Sequence, residues 1–123
     1  MNALGTHLLL DLKECNPQLL DNIDYIKEAM VRAAVEAGAT VLGVSFHKFH
    51  PVGVTGVVVI SESHICIHTW PEHRFAAVDI FTCGAAFAPR KAADTIIERL
   101  EAADPTITEV LRGFLPELAS ARA

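Results

Sequence analysis

The sequence predicts an α+β fold, a two-layer sandwich in which two helices pack on one face of a mostly antiparallel sheet. Segments with strand and helix patterns follow one another as strand, helix, four strands, helix, strand. The connections between the central strands are too short for the crossovers that parallel strands require. With 123 residues the chain has room for a single domain, residues 1–123, built around one core.

The two helices are predicted from apolar side chains that recur at three- and four-residue spacing. In residues 21–38 these side chains are Ile23, Ile26, Ala29, Met30, Ala33, Ala34 and Ala37. Gly38 is a suitable stop for this helix. The second helix begins at Pro89, a residue suited to a first helical turn, and it ends before Asp104-Pro105. Its repeating side chains are Ala92, Ala93, Ile96, Ile97 and Leu100.

The predicted strands are short runs that contain β-branched and aromatic residues and are bounded by turn residues. The turns are marked by Asn16-Pro17, by residues 51–53 and by residues 71–73. The strands occupy residues 5–12, 40–49, 55–61, 65–70, 74–82 and 106–114.

Charge, hydropathy and cysteine content argue against several classes of protein. The net charge is -5 and like charges form no long run, so we expect neither a nucleic-acid footprint nor a basic membrane patch. No apolar run approaches the roughly 20 residues of a membrane span, and the first residues lack the pattern of a signal peptide. Cys15, Cys66 and Cys83 are odd in number and widely spaced. We therefore expect free thiols and a cytoplasmic location.

Alternation along residues 64–70 predicts one core face and one reactive face, because successive strand residues point to opposite sides. The core face holds Ile65, Ile67 and Thr69, and the other face holds His64, Cys66, His68 and Trp70. On the next strand one face holds Phe75, Ala77, Asp79, Phe81 and Cys83, opposite Ala76, Val78 and Ile80. If the two strands pair, the reactive faces line one pocket. The register stays open, since a slip of one residue would invert every side chain.

Two chemistries compete for these reactive residues. A zinc site could use His64, Cys66, His68 and Cys83. Their spacing lacks the two close ligand pairs of structural zinc sites, so we expect no metal. A hydrolase triad could use Ser63, His68 and Asp79, but the Gly-x-Ser-x-Gly elbow is missing and Ser63 precedes a strand rather than a helix.

Residues 61–72, with the sequence SESHICIHTWPE, are followed by DIFTCG at residues 79–84. This pattern resembles the signature of the prokaryotic S-adenosylmethionine decarboxylase proenzymes. The chain length, the position of Ser63 and the order of strands and helices are also similar to that family, in its short bacterial form. The likeness extends from the first predicted strand to the second predicted helix.

The resemblance implies a chain that cuts itself between Glu62 and Ser63, giving fragments 1–62 and 63–123. Ser63 would become a covalent pyruvoyl group, whose carbonyl replaces the electron sink that many decarboxylases take from pyridoxal phosphate. The implied reaction is decarboxylation of S-adenosylmethionine to the aminopropyl donor of spermidine synthesis. Two alternatives stay open: a pyruvoyl-dependent arginine or ornithine decarboxylase, and a non-catalytic relative, which the intact Ser63, His68 and Cys83 argue against.

The resemblance also implies roles for individual side chains. His68 matches the residue that transfers a proton during processing, a role suited to an imidazole near neutral pH. Cys83 matches the proton donor in decarboxylation. A thiol suits this role because it is largely protonated at neutral pH. Thr55 corresponds to a hydroxyl that assists processing.

For the substrate, the resemblance implies that Phe49 and Trp70 flank the adenine and that Glu72 accepts hydrogen bonds from the ribose hydroxyls. An aromatic surface would also favour the sulfonium cation. The implied assembly is a homodimer of processed protomers whose active sites are shared between the two subunits. Nucleic acid and membrane are not expected partners.

Overall fold

The computed structural model describes residues 3–61, 63–83 and 87–115. It contains a six-stranded sheet in which all five neighbouring pairs are antiparallel, so the predicted fold class is confirmed. The strands are β1 (Ala3–Lys13), β2 (Val41–Lys48), β3 (Val54–Ile60), β4 (Ser63–Trp70), β5 (Phe75–Thr82) and β6 (Asp104–Phe114). Their order across the sheet is β2-β3-β4-β5-β1-β6, so β1 lies between two strands from the second half of the chain.

Among the described residues, three α-helices accompany the sheet, one more than the sequence analysis predicted: α1 (Pro17–Leu20), α2 (Ile23–Glu36) and α3 (Pro89–Arg99). The additional helix, α1, forms where only a turn was expected. Asn16 caps it by accepting a hydrogen bond from the Gln18 N–H, and Pro17 occupies its first turn. Its single turn is too short for apolar periodicity to reveal. The side chain of Asn22 caps α2 in the same way, which separates the two helices.

The core lies between the two long helices and one face of the sheet. Helix α2 buries Ile26, Ala29, Met30, Ala33 and Ala34, and α3 buries Ala92, Ala93 and Ile96. They pack against sheet residues that include Leu8, Leu10, Val58, Ile65, Ile67, Val78 and Ile80. Small alanines let the helices approach the sheet and each other closely. Within the described residues, no helix is long and apolar enough to span a bilayer.

The other face of the sheet carries no helix in the part of the chain that the structure describes, and we call it the open face. On β4 the predicted alternation is confirmed: Ile65, Ile67 and Thr69 are buried, and the intervening residues point the other way. The open face is partly apolar, since Leu9, Val59, Trp70 and Val110 are 37–44 % exposed. It therefore combines reactive side chains with apolar area that is exposed in the isolated chain.

Gly56 is needed for the packing of β2 against β3. It pairs directly with Phe46, and a Cβ at this position would fall within the Phe46 ring. Gly56→Ala should therefore lower the free energy of unfolding by about 1–3 kcal/mol, the usual cost of overpacking. Gly43→Ala is the matched control, because a Cβ there meets nothing within 4 Å. Urea unfolding at equal protein concentration measures both, and equal stability of the two variants would contradict the prediction.

Candidate active site

The residues singled out by the sequence lie at the two ends of β4. Ser63 begins the strand and Trp70 ends it. We call the group formed by Ser63, Thr82 and Cys83 the serine end. We call the group formed by Phe49, Thr55, His68, Trp70 and Glu72 the aromatic end.

At the serine end, the register of β4 and β5 places Ser63 directly opposite Thr82. The Ser63 hydroxyl donates a hydrogen bond to Thr82 Oγ1 at 3.0 Å and lies 3.4 Å from the carbonyl oxygen of Ser61. Thr82 is buried, whereas Cys83, the next residue, is exposed. The structure thus brings a hydroxyl and a thiol to the same end of two neighbouring interior strands. Glu62, on the other side of the predicted cut, lies outside the described residues.

At the aromatic end, His68 on β4 pairs with Thr55 on β3. Thr55 Oγ1 and His68 Nδ1 are 3.1 Å apart, within hydrogen-bond distance. The residues predicted to hold substrate adjoin this pair, since a pocket of about 260 Å³ is lined by Phe49, Val52, Gly53, Thr55, His68, Thr69, Trp70 and Glu72. Phe49 is 46 % exposed, so its ring is available for contacts outside the core.

The turn that carries Phe49 is fixed by a carboxylate from the helical layer. One Asp21 oxygen accepts hydrogen bonds from the Gly53 N–H at 2.9 Å and from Lys48 Nζ at 3.0 Å. These two hydrogen bonds lower the pKa of Asp21, the backbone bond contributing most. Gly53 has a φ of 112°, a left-handed conformation that favours glycine. Asp21 was not among the residues that the sequence indicated, because its partners lie about 30 positions away.

The end of β4 beneath the pocket is also fixed to the helical layer. The Thr69 hydroxyl accepts a hydrogen bond from the Val54 N–H at 2.8 Å and donates one to the Leu20 carbonyl at 2.9 Å. Both groups are buried, so the two bonds satisfy backbone atoms that water cannot reach. These bonds therefore hold the end of the strand that carries His68 and Trp70 in a fixed position relative to α1.

Ser63 and His68 of the same chain do not come together. They are five residues apart on an extended strand, a separation of roughly 16 Å. Ser63 also shares the helix side of the sheet with Thr82, whereas His68 lies on the open face. A proton cannot pass directly between these side chains within one subunit.

The family model described as S-adenosylmethionine decarboxylase matches residues 6–113. This chain belongs to the S-adenosylmethionine decarboxylase family. The resemblance stated above is thereby confirmed, and the members of the family are enzymes.

Individual S-adenosylmethionine decarboxylase relatives agree with the family model over nearly the whole chain. A proenzyme of this name from Thermodesulfovibrio yellowstonii is 54 % identical over 94 % of this chain and 85 % of its own length. One from Acetivibrio thermocellus is 53 % identical over 95 % of this chain and 94 % of its own. The crystal structure of the adenosylmethionine decarboxylase from Aquifex aeolicus superposes with a TM-score of 0.87 at 36 % identity, covering 95 % of this chain and 97 % of that one.

The hydrolase triad considered as an alternative to decarboxylase chemistry is not assembled. Asp79 is engaged by His7 of the neighbouring strand, with 3.1 Å between His7 Nε2 and the carboxylate. His68 faces Thr55, and Ser63 lies on the opposite side of the sheet. The three side chains thus have separate partners.

The cysteines other than Cys83 are poor nucleophiles in this member of the decarboxylase family. Burial raises the pKa of Cys66, and the facing carboxylate of Asp79 raises it further. Burial raises the pKa of Cys15 to about 11. Both thiols therefore stay protonated at neutral pH. Among the described residues, no three His, Cys, Asp or Glu side chains form a group that could hold a metal ion.

The charge on Asp21 should make a pH-dependent contribution to stability. Its pKa is lowered in the folded state, so the contribution is present above the unfolded value of about 4 and disappears as the pH falls through the folded value. Asp21→Asn keeps an oxygen acceptor for Gly53 but loses the ion pair with Lys48. Because the side chain is 34 % exposed, we expect the variant to lose less than about 1 kcal/mol at pH 7.

The measurement for Asp21 is the unfolding free energy of both proteins between pH 7 and pH 3. The difference between wild type and Asp21→Asn should shrink as the solution becomes more acidic. Asp24→Asn, at an exposed position in the first turn of α2, is the control for loss of one negative charge. A constant difference across the pH range would show that the Asp21 carboxylate is not stabilised by folding.

Proposed function

We propose that this chain cuts its own backbone between Glu62 and Ser63 and then decarboxylates S-adenosylmethionine in the cytoplasm, using a pyruvoyl group formed from Ser63. The product would be the aminopropyl donor for spermidine synthesis. The observation that carries the proposal is the pocket at the aromatic end. It gathers Phe49, Trp70 and Glu72, the positions expected to bind a nucleoside, around the Thr55–His68 pair.

The residues at the serine end fit the formation of a pyruvoyl group. Ser63 begins a strand immediately after the bond to be cut, and its hydroxyl is held by Thr82. The thiol of Cys83 follows Thr82 and is exposed, where it can deliver a proton to a substrate. The keto carbonyl of a pyruvoyl group serves as the electron sink for the carbanion that decarboxylation leaves.

Self-cleavage requires only groups of the chain itself and one water molecule. The Ser63 oxygen attacks the Glu62 carbonyl carbon, the peptide C–N bond breaks, and the freed nitrogen takes up a proton. Removal of the Ser63 α-proton then breaks the ester. The main-chain carboxylate of Glu62 leaves as the new C-terminus of the first fragment, and a carbon–carbon double bond remains at position 63. Rearrangement to an imine and hydrolysis give the ketone and release ammonia. His68 is suited to move a proton in this sequence because an imidazole exchanges protons near neutral pH.

The separation of Ser63 and His68 along β4 supports the proposal that His68 comes from a second copy of the chain. Two sheets can stack through their open faces about 10 Å apart. If their strands run in opposite directions under two-fold symmetry, the serine end of one subunit meets the aromatic end of the other twice. Such a dimer also removes exposed apolar area, including Leu9, Val59 and Val110, from water.

The pocket favours a nucleoside over a basic amino acid as the substrate. Trp70 and Phe75 have ring centroids 5.6 Å apart, and the His68 ring lies 6.4 Å from that of Trp70. This aromatic surface can stack on a purine and contact a sulfonium cation. Glu72 supplies a carboxylate acceptor for vicinal hydroxyls. No observation favours arginine or ornithine.

Ser63→Ala should abolish self-cleavage completely, because alanine has no oxygen to attack Glu62. Mass spectrometry of the purified wild type should show fragments 1–62 and 63–123, the second bearing a carbonyl that traps a hydrazine, whereas Ser63→Ala should show one intact chain. Ser61→Ala is the matched control, since it changes a neighbouring serine and keeps the backbone.

Processed wild type should release carbon dioxide from S-adenosylmethionine and not from arginine or ornithine. Wild type that folds but stays intact would contradict the proposal.

Sharing of the active sites can be tested by mixing two inactive chains. His68→Ala and Ser63→Ala should each stay uncut alone, since every site lacks one essential group. Co-expressed with tags of different size, they form mixed dimers in which one of the two sites has both Ser63 and His68 intact. The His68→Ala chain should then be cut and the Ser63→Ala chain should not. If the His68→Ala chain stays intact in purified mixed dimers, the sites are not shared in this way.

A further inference from the structure

The Ser63 hydroxyl is in contact with a threonine that the sequence analysis did not assign. Its hydrogen bond to Thr82 Oγ1 is 3.0 Å long, shorter than its 3.4 Å contact with the Ser61 carbonyl. We propose that Thr82 is a positioning residue for self-cleavage, holding the Ser63 oxygen in the orientation from which it attacks the backbone. This inference rests on the proposed function and adds a residue to it.

The sheet holds Thr82 in place from both sides. It lies in β5 and pairs with Ser63 of β4 on one side and with Thr6 of β1 on the other. Its side chain is 4 % exposed, so it has little room to move. Threonine is also β-branched, and this restricts rotation about its first side-chain bond. The oxygen of Thr82 is therefore a fixed point against which the more accessible Ser63 hydroxyl is oriented.

Of the two possible directions of this hydroxyl–hydroxyl bond, the one in which Ser63 donates suits a nucleophile. A hydroxyl has one hydrogen and two lone pairs. When Ser63 directs its hydrogen at Thr82, its lone pairs stay available for attack on a carbonyl carbon. The donated hydrogen bond also increases the electron density on the Ser63 oxygen, since hydrogen bonds in a chain polarise one another.

Thr82 and His68 have different tasks in this scheme. Thr82 touches the nucleophile from its own subunit and carries no group that titrates near neutral pH, so it orients but is not the final proton acceptor. The proton that leaves Ser63 must reach a base, and in the proposed dimer His68 of the partner subunit lies at this end of β4, on the open-face side of the strand. The bond that forms is Ser63 oxygen to Glu62 carbon, the bond that breaks is Glu62 carbon to Ser63 nitrogen, and that nitrogen gains the proton.

Four variants separate orientation by the hydroxyl from a general effect on folding. Thr82→Val keeps the β-branched shape and removes the oxygen. Thr82→Ser and Thr82→Ala form a pair that differs only in the hydroxyl. Ile80→Val shortens the preceding core residue of the same strand, and it lowers stability without touching a hydroxyl.

The readout is the rate at which fragments 1–62 and 63–123 appear after a pulse of cell-free synthesis, followed on denaturing gels, with the melting temperature of each variant as a check of folding. We expect Thr82→Val and Thr82→Ala to cut about tenfold more slowly than wild type, or slower still, a change that corresponds to the loss of one well-placed hydrogen bond in the transition state. Thr82→Ser and Ile80→Val should cut within about threefold of the wild-type rate.

Two results would overturn the inference. One is cleavage of both Thr82→Val and Thr82→Ala at the wild-type rate. The other is cleavage of Thr82→Ser as slowly as Thr82→Ala, which would assign the effect to lost packing. Both results leave the proposed function intact as long as wild type is cut and Ser63→Ala is not. Intact wild type would overturn the proposed function as well.

Discussion

The two-residue alternation of β4 is the constraint on which the arrangement of the site depends. Ile65 and Ile67 are fully buried against the helices, and a slip of one residue would place them in water and His64, Cys66 and His68 in the core. Burial of two isoleucines is worth several kcal/mol, which is enough to exclude the alternative register. The buried isoleucines, which have no proposed role in the reaction, thus determine the side of the sheet to which the reactive side chains point.

The same alternation places Ser63 and His68 of one chain on opposite sides of the sheet. Ser63 has the parity of the buried isoleucines and lies at the helix side of the sheet, where Thr82 meets it. His68 has the opposite parity and lies near the far end of the strand, where Thr55 and the aromatic pocket meet it. An isolated subunit therefore holds its nucleophile and its proposed proton carrier about 16 Å apart. The proposed face-to-face dimer places the aromatic end of one subunit near the serine end of the other and covers the apolar part of the open face.

Local patterns in the sequence predicted the strands, the long helices and the faces of β4 and β5, because burial imposes a period on each element. They missed α1, whose single turn is defined by a cap and a proline rather than by periodicity. They also missed Asp21 and Thr82, because each acts on residues 19 or more positions away and its partner depends on the register of the sheet or on how a loop folds back. The residues of the pocket proposed to bind substrate were predicted from the family resemblance, and no local pattern pointed to them.

The order of strands has a consequence for the two fragments that the proposed cut creates. β1, β2 and β3 belong to the first fragment and β4, β5 and β6 to the second, yet β1 is hydrogen-bonded to β5 on one side and to β6 on the other. Across the sheet, β1 of the first fragment is therefore inserted between two strands of the second fragment. Neither can depart without dismantling three ladders of backbone hydrogen bonds, β3–β4, β5–β1 and β1–β6. Severing the backbone would thus leave a nicked but undivided fold, and the new chain end would stay anchored at the start of β4.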